Sequence, residues 1–117
     1  EATIKAVEVL DSCLKKIGDE VFIKNGAMVI TADHGNAELM INPITGGVDT
    51  EHSSSRVPFI VVANEFQHSS TLQFPSGILA DVAPTILSLM GIEKPGTMVG
   101  RDLLSVKVKN GINRPQL

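Results

Sequence analysis

The chain has 117 residues, with ten Lys+Arg against thirteen Asp+Glu for a net charge of −3; 43% of residues are hydrophobic and 20% charged. That much apolar surface excludes a disordered chain, because burial can offset the entropy of ordering. The slightly acidic balance, with no Lys/Arg cluster, argues against a nucleic-acid partner. The four aromatics, all Phe, argue against stacking platforms for bases or sugars. The lone Cys13 excludes an internal disulfide framework and points to a reducing, cytoplasmic setting. No apolar run approaches the ~18 residues of a spanning helix, and nothing resembles a signal peptide, so no membrane partner is expected. The chain lacks an initiator Met and opens in what reads as the middle of a helix, as a piece of a longer protein would.

The opening segment places Ile4, Val7, Leu10, Leu14, Ile17 and Val21 at spacings of three and four. This is one apolar stripe on an amphipathic helix, with Lys5, Glu8, Asp11 and Lys15 on other faces. Gly18 interrupts the helix at a cost of about 1 kcal/mol without changing the phase. Asn25-Gly26 supplies the left-handed stop. Cys13 is expected to be a small packed hydrophobe.

Ala27 to Ala32 is then a continuous apolar run bounded by Gly26 and Asp33-His34-Gly35, which reads as a strand buried on both faces, as in a parallel α/β sheet. A second such run spans Val57 to Ala63, with Pro58 near its start, where a missing N–H matters least. Between them, Asn42-Pro43-Ile44-Thr45-Gly46-Gly47 is turn chemistry. Residues 64–77, rich in Ser, Gln and Asn, read as an exposed loop or irregular hairpin in which His68 is solvated.

A second helix carries Leu79, Val82, Ala83, Ile86, Leu87, Leu89 and Met90, crowded enough to predict burial on most sides. Asp81 is expected to cap its start, Pro84 fits in the first turn, and Gly91 ends it. Lys94-Pro95-Gly96 forms a turn, Met98 to Leu104 a short irregular element, and the polar residues 107–117 a loosely held tail.

The chemistry-bearing residues gather at the strand ends: Thr31, Asp33, His34, Gly35 and Asn36 after the first, then Asp49, Glu51, His52 and Ser53 before the second. Ligands of open α/β sheets sit outside the carboxyl ends of strands. Neighbouring side chains of a strand point to opposite faces, so Asp33 and His34 can share a ligand only if the chain turns there; Gly35 makes a sharp turn accessible. A carboxylate with an imidazole suits manganese, zinc or iron, and His52, eighteen residues on, could add a nitrogen. An Asp-His pair at a strand end is equally compatible with a hydrogen-bonded turn. Ser53, Ser54 and Ser55 lack the Gly-x-Ser-x-Gly elbow of a nucleophile and read as loop residues, some bonding to His52. Arg56 could bind phosphate in a bidentate manner, or be a solvated surface arginine.

The string Ile30-Thr31-Ala32-Asp33-His34-Gly35-Asn36-Ala37-Glu38 closely resembles the C-terminal metal motif of the cofactor-independent phosphoglycerate mutases of the alkaline phosphatase superfamily. The resemblance continues through Ile44 to Gly47, Thr50 to Ser54, Val57 to Ile60, Leu79 to Leu87 and Met98 to Leu104. It covers residues 1–104 in order, including the opening helix. It implies the last part of a three-layer α/β sandwich with a mostly parallel sheet, truncated on its N-terminal side, followed by a polar tail at 105–117.

The resemblance further implies two manganese ions serving a serine nucleophile, which takes phosphate from one phosphoglycerate hydroxyl and returns it to the other. By motif, Asp33 and His34 would bind the ion near that serine, and His52 the second ion. Metals at such a site lower a hydroxyl's pKa and neutralise charge on the transferring phosphoryl group. Where the family has Thr-Ala-His-Thr-Thr, this chain reads Thr50-Glu51-His52-Ser53-Ser54, adding a carboxylate that we take as a solvated neighbour. The family's nucleophilic serine, its early Asp ligand, its substrate-binding Arg and Lys, and its Gly-His-Thr-Gly stretch match no position here. The expectation is a glycolytic isomerase segment that is inactive alone, binds manganese weakly, and self-associates through uncovered apolar surface. Two alternatives stay open: a segment of a phosphopentomutase, sulfatase or phosphodiesterase, and a non-catalytic α/β interaction fragment.

Overall fold

The computed structural model of the chain describes residues 1–67 and 74–105. His68 and the tail at 107–117 lie outside the described residues. The order of elements is helix α1 (Ala2–Ile23), strands β1 (Ala27–Thr31) and β2 (Phe59–Ala63), 3-10 turns at Asn64–Phe66 and Leu79–Asp81, and helix α2 (Val82–Leu89). They fall into two compact units, Glu1–Asn64 and Glu65–Leu117. The chain is therefore α/β, as its alternation of periodicities implies.

In the first unit, α1 follows the predicted stripe and stops where the sequence says. Asn25 takes φ 54°, its N–H donates to the Phe22 carbonyl at 3.0 Å, and the Gly26 N–H donates to Val21 at 2.9 Å. Those two bonds are the Schellman closure of a helix end. Gly18 is the buried residue of α1. A Cβ there would lie 3.2 Å from the Phe22 ring and 3.4 Å from the Met28 methyl, so the glycine opens room for a side chain of β1. Cys13, by contrast, is exposed rather than packed, because it stands away from the part of the helix that approaches β1. Ile4, Val7, Leu10 and Ile17 are likewise exposed, leaving much of the stripe uncovered among the described residues.

The two strands differ from expectation in direction. β1 and β2 pair antiparallel, from Ala27 opposite Ala63 to Thr31 opposite Phe59. A parallel neighbour needs a crossover, usually a helix, and residues 32–58 contain none. They form bends, turns and two isolated bridges, Gly35 with Ser53 and Ile41 with Val48. The strands are half-buried rather than enclosed on both faces, with burial deepest at Ala63. Beyond Thr31 and Phe59 the two limbs are unequal: four steps lead from Thr31 to Gly35, but six lead back from Phe59 to Ser53. The polar turn at 42–47 forms as its residues dictate, with Asn42 Oδ1 accepting from the Ile44 and Thr45 N–H groups at 2.9 and 3.1 Å and Gly46 at φ 68°.

In the second unit α2 ends at Gly91 (φ 67°), with Ile92 and Gly91 donating to Leu87 and Ser88 at 2.9 and 3.1 Å. Its interior, however, is polar. Asp81, Pro84 and Thr85 are the most buried side chains, while Leu79, Ile86 and Met90 are exposed, contrary to burial on most sides. The reason is the company Asp81 keeps. Its carboxylate does not cap α2. It accepts instead from the Ile78 N–H at 3.0 Å and the Arg101 N–H at 2.7 Å. Thr85 continues the network, its hydroxyl donating to the Asp81 carbonyl at 2.7 Å and accepting from the Leu103 N–H at 3.0 Å. The irregular element after Met98 is thus drawn onto the polar side of α2. Gly100 is needed there because a Cβ would collide with the Ala80 carbonyl. The preceding turn closes through the Met98 N–H to Pro95 at 3.0 Å, and Lys94 Nζ donates to the Met98 and Gly100 carbonyls.

Candidate metal centre

The chain bends at Asp33 and His34, immediately after β1. That bend removes the alternation that would have separated the two side chains. The His34 Nε2 lies 3.6 Å from Asp33 Oδ1; the aspartate side chain is 88% exposed and the imidazole 34%. His34 Nδ1 sits 3.0 Å from the Gly35 carbonyl. A carbonyl can only accept, so this bond places the proton of a neutral ring on Nδ1 and leaves the Nε2 lone pair toward Asp33.

Two lone-pair-bearing atoms facing each other at that separation repel unless a proton or a cation lies between them. Ligands held roughly 2.1 Å from one ion at a tetrahedral angle are about 3.4 Å apart, close to the observed separation. The pair therefore fits a divalent cation, with the second-sphere carbonyl on the far nitrogen that metal-binding histidines commonly have.

His52 comes to the same place from the other limb. Its ring stacks on that of His34, centroids 3.7 Å apart and planes inclined by 28°. The cause is the isolated bridge: Gly35 and Ser53 exchange backbone bonds of 3.1 and 2.9 Å. Each histidine precedes a bridged residue, a diagonal relation that keeps both side chains on one face within reach of each other. All three sequence-predicted residues are thus brought together. Among the described residues, no three His, Cys, Asp or Glu side chains form a closed metal-binding group. The arrangement is a pair of donors with a neighbouring imidazole.

Gly35 has a different task from the one its sequence context implied. Among the described glycines, positive φ occurs at Gly46 and Gly91, not at Gly35. What matters is room, because a Cβ on Gly35 would strike the Glu38 carboxylate and the Ser53 hydroxyl. Those two groups share a short hydrogen bond, so Ser53 donates to Glu38 rather than to His52. Glu38 also accepts from the Asn36 N–H at 3.0 Å. These donors, the Ser53 hydroxyl foremost, hold its carboxyl down from 4.5 to about 2. Asn36 reaches across in turn, its Nδ2 donating to the Glu51 carbonyl at 3.1 Å and the Thr50 carbonyl at 3.4 Å. Sequence reasoning placed Asn36 and Glu38 in the motif but assigned them no task; a short polar residue three positions before an acid is too common a pattern to reveal a link across a loop. Arg56 and Glu51 are exposed at the surface.

Residues 1–94 match the family described as the Metalloenzyme superfamily, and the chain belongs to it. Within reach of that class are particular relatives. The chain is 50% identical over 105 residues to the 2,3-bisphosphoglycerate-independent phosphoglycerate mutase of Clostridioides difficile (strain 630), a match covering 90% of this chain and 20% of that protein. The mutase of Vesicomyosocius okutanii subsp. Calyptogena okutanii (strain HA) is 50% identical over 107 residues, covering 92% of this chain and 20% of its own length. That of Rhodopirellula baltica is 48% identical over 107 residues, with 92% and 19% covered. The chain spans about a fifth of the length of the curated relatives it matches. Among the described residues, no helix is long and apolar enough to cross a membrane.

Proposed function

We propose that this chain supplies part of the two-ion site of a phosphoglycerate mutase acting in cytoplasmic glycolysis, interconverting 3-phosphoglycerate and 2-phosphoglycerate through a phosphoserine. The observation that carries the reading is the convergence of His52 on the Asp33–His34 pair, from opposite limbs of one hairpin. The identity to named mutases supports the substrate class. Asp33 and His34 hold one manganese ion, and His52 holds the neighbouring one. Manganese supplies charge neutralisation on a transferring phosphoryl group and a lowered hydroxyl pKa. The chain's own residues fix where those ions sit: the Gly35 carbonyl sets the His34 tautomer, and the bridge to Ser53 sets the spacing of the two rings.

On this reading the 117 residues with manganese show no mutase turnover, since no residue among them takes the part of the nucleophile. Replacing the matching segment of the C. difficile relative by this chain gives an active chimera, and Asp33→Ala, His34→Ala or His52→Ala each abolishes that activity. Turnover by the 117 residues alone, or a chimera indifferent to all three substitutions, overturns the reading. A chimera active on phosphate or sulfate esters but not on phosphoglycerates assigns the chain to another branch of the superfamily.

A second reading has one observation in its favour. Ile4, Val7, Val9, Leu10 and Ile17 are all more than half exposed, and contiguous apolar surface of this kind promotes association. The chain studied alone then self-associates, and a monodisperse monomer by light scattering at high concentration excludes this.

A further inference from the structure

Nothing in the metal chemistry itself explains why His52 should lie against His34. The loop that carries it, residues 48–55, is exposed over most of its length, and exposed loops do not by themselves hold a ring in one place. What crosses from the β1 limb to this loop is a small set of bonds. The Asn36 side-chain amide donates to the Thr50 and Glu51 carbonyls, the two immediately before His52. Glu38 accepts from the hydroxyl of Ser53, the residue immediately after it. The bridge between Gly35 and Ser53 lies between these attachments. His52 is therefore gripped on both sides by side chains that touch neither imidazole.

From this arrangement we infer that Asn36 and Glu38 are positioning residues, a two-point clamp that holds His52 at the ion site beside Asp33 and His34. The inference rests on the metal-site reading above for its purpose, but not for its geometry. Each part has a distinct chemical demand. Position 36 must donate twice through its side chain, because it faces two carbonyl oxygens. Aspartate, of the same size, would present oxygens to both and repel them. Position 38 must accept from a hydroxyl and from the Asn36 N–H together, which a carboxylate does with its two oxygens. Glutamine keeps one acceptor and turns an amide group toward the other donor. Partners that orient ligands from outside the coordination sphere are commonly as demanding as the ligands themselves.

The experiment is proton NMR of the full chain, following the imidazole resonances of His34 and His52. In the unsubstituted chain a ring-to-ring nuclear Overhauser contact is expected. It is lost in N36D and in E38Q, with the dispersed amide spectrum of β1 and β2 retained. In N42D, which alters the neighbouring turn and leaves the clamp intact, the contact persists. Ser53→Ala, which deletes one hydroxyl with little risk to the fold, weakens the contact without abolishing it. Persistence of the contact in both N36D and E38Q overturns the clamp, as does its loss in N42D.

Titration with manganese chloride alone then separates the two readings. In the unsubstituted chain both rings broaden together; in N36D His34 still broadens and His52 lags behind it. If neither ring of the unsubstituted chain broadens, the metal reading fails, while the ring-to-ring contact still decides the clamp. If both rings broaden equally in N36D, the clamp fails and the metal reading stands.

Discussion

Glu38 and Asp81 are both carboxylates held below their ordinary pKa by donated hydrogen bonds, yet they belong to opposite kinds of structure. Asp81 is 1% exposed and ties Ile78 and Arg101 to the start of α2. Glu38 lies in an exposed loop and ties that loop to the bend after β1. One carboxylate is buried to knit the second unit together. The other orders a surface on which Asp33 and His34 keep their lone pairs uncommitted. Saturated polar groups hold shape; unsaturated ones hold ligands.

Breaking Asp81 should therefore have the largest effect on stability. Asp81→Ala leaves the Ile78 and Arg101 N–H groups without their acceptor, a loss of about 2–5 kcal/mol at about 1–3 kcal/mol for each buried group left unpaired. The measurement is the denaturant midpoint, and a change below about 0.5 kcal/mol, the range of an ordinary surface substitution, would remove Asp81 from its central place. Gly100→Ala comes next, at about 1–3 kcal/mol, because the new methyl meets a backbone carbonyl rather than a flexible side chain. Gly35→Ala should be milder in stability, since the Glu38 and Ser53 side chains can swing away, but it should separate the two histidine rings.

Acid sharpens the same contrast. Both carboxylates have folded pKa values depressed below their unfolded ones, so their stabilisation is fully present above the unfolded value and is lost as pH falls through the folded one. For Glu38 that window runs from 4.5 down to about 2. Asp81, lowered from 3.8 chiefly by the Arg101 and Ile78 N–H groups, loses its share below that value. Chemical denaturation as a function of pH should show E38Q flattening the upper part of the acid limb and D81N the lower part. A slope unchanged in both would refute the assignment. The smallest effect on stability falls at the ligands: Asp33→Ala and His52→Ala should lie within about 0.5 kcal/mol of the unsubstituted chain, while manganese binding by calorimetry falls in each.

Much of this was legible from residues near in sequence. The stop at Asn25-Gly26, the turn built on Asn42 and the end of α2 at Gly91 are decided by bonds within a few residues, and local chemistry foretells them. The two apolar runs became strands for the same reason. Their direction did not follow, because it depends on what residues 32–58 do as a whole. Asp33, His34 and His52 could be singled out from their chemical types and from resemblance, but not their ring stacking, which arises from a bridge between Gly35 and Ser53. Asp81 shows the limit most plainly. Its position suggested a cap, and only the return of the chain at Arg101 gives the carboxylate a better set of donors.

The unequal limbs beyond the ladder carry a consequence for how this hairpin tolerates length change. The return limb uses two more residues than the outgoing one between the last strand pair and the Gly35–Ser53 bridge. An even excess preserves the up-and-down parity of an extended chain, whereas an odd one inverts it. Removing one residue from the run Ser54–Pro58 should thus send the second imidazole to the wrong side of the hairpin, and removing two should bring it back. Length here is counted in pairs.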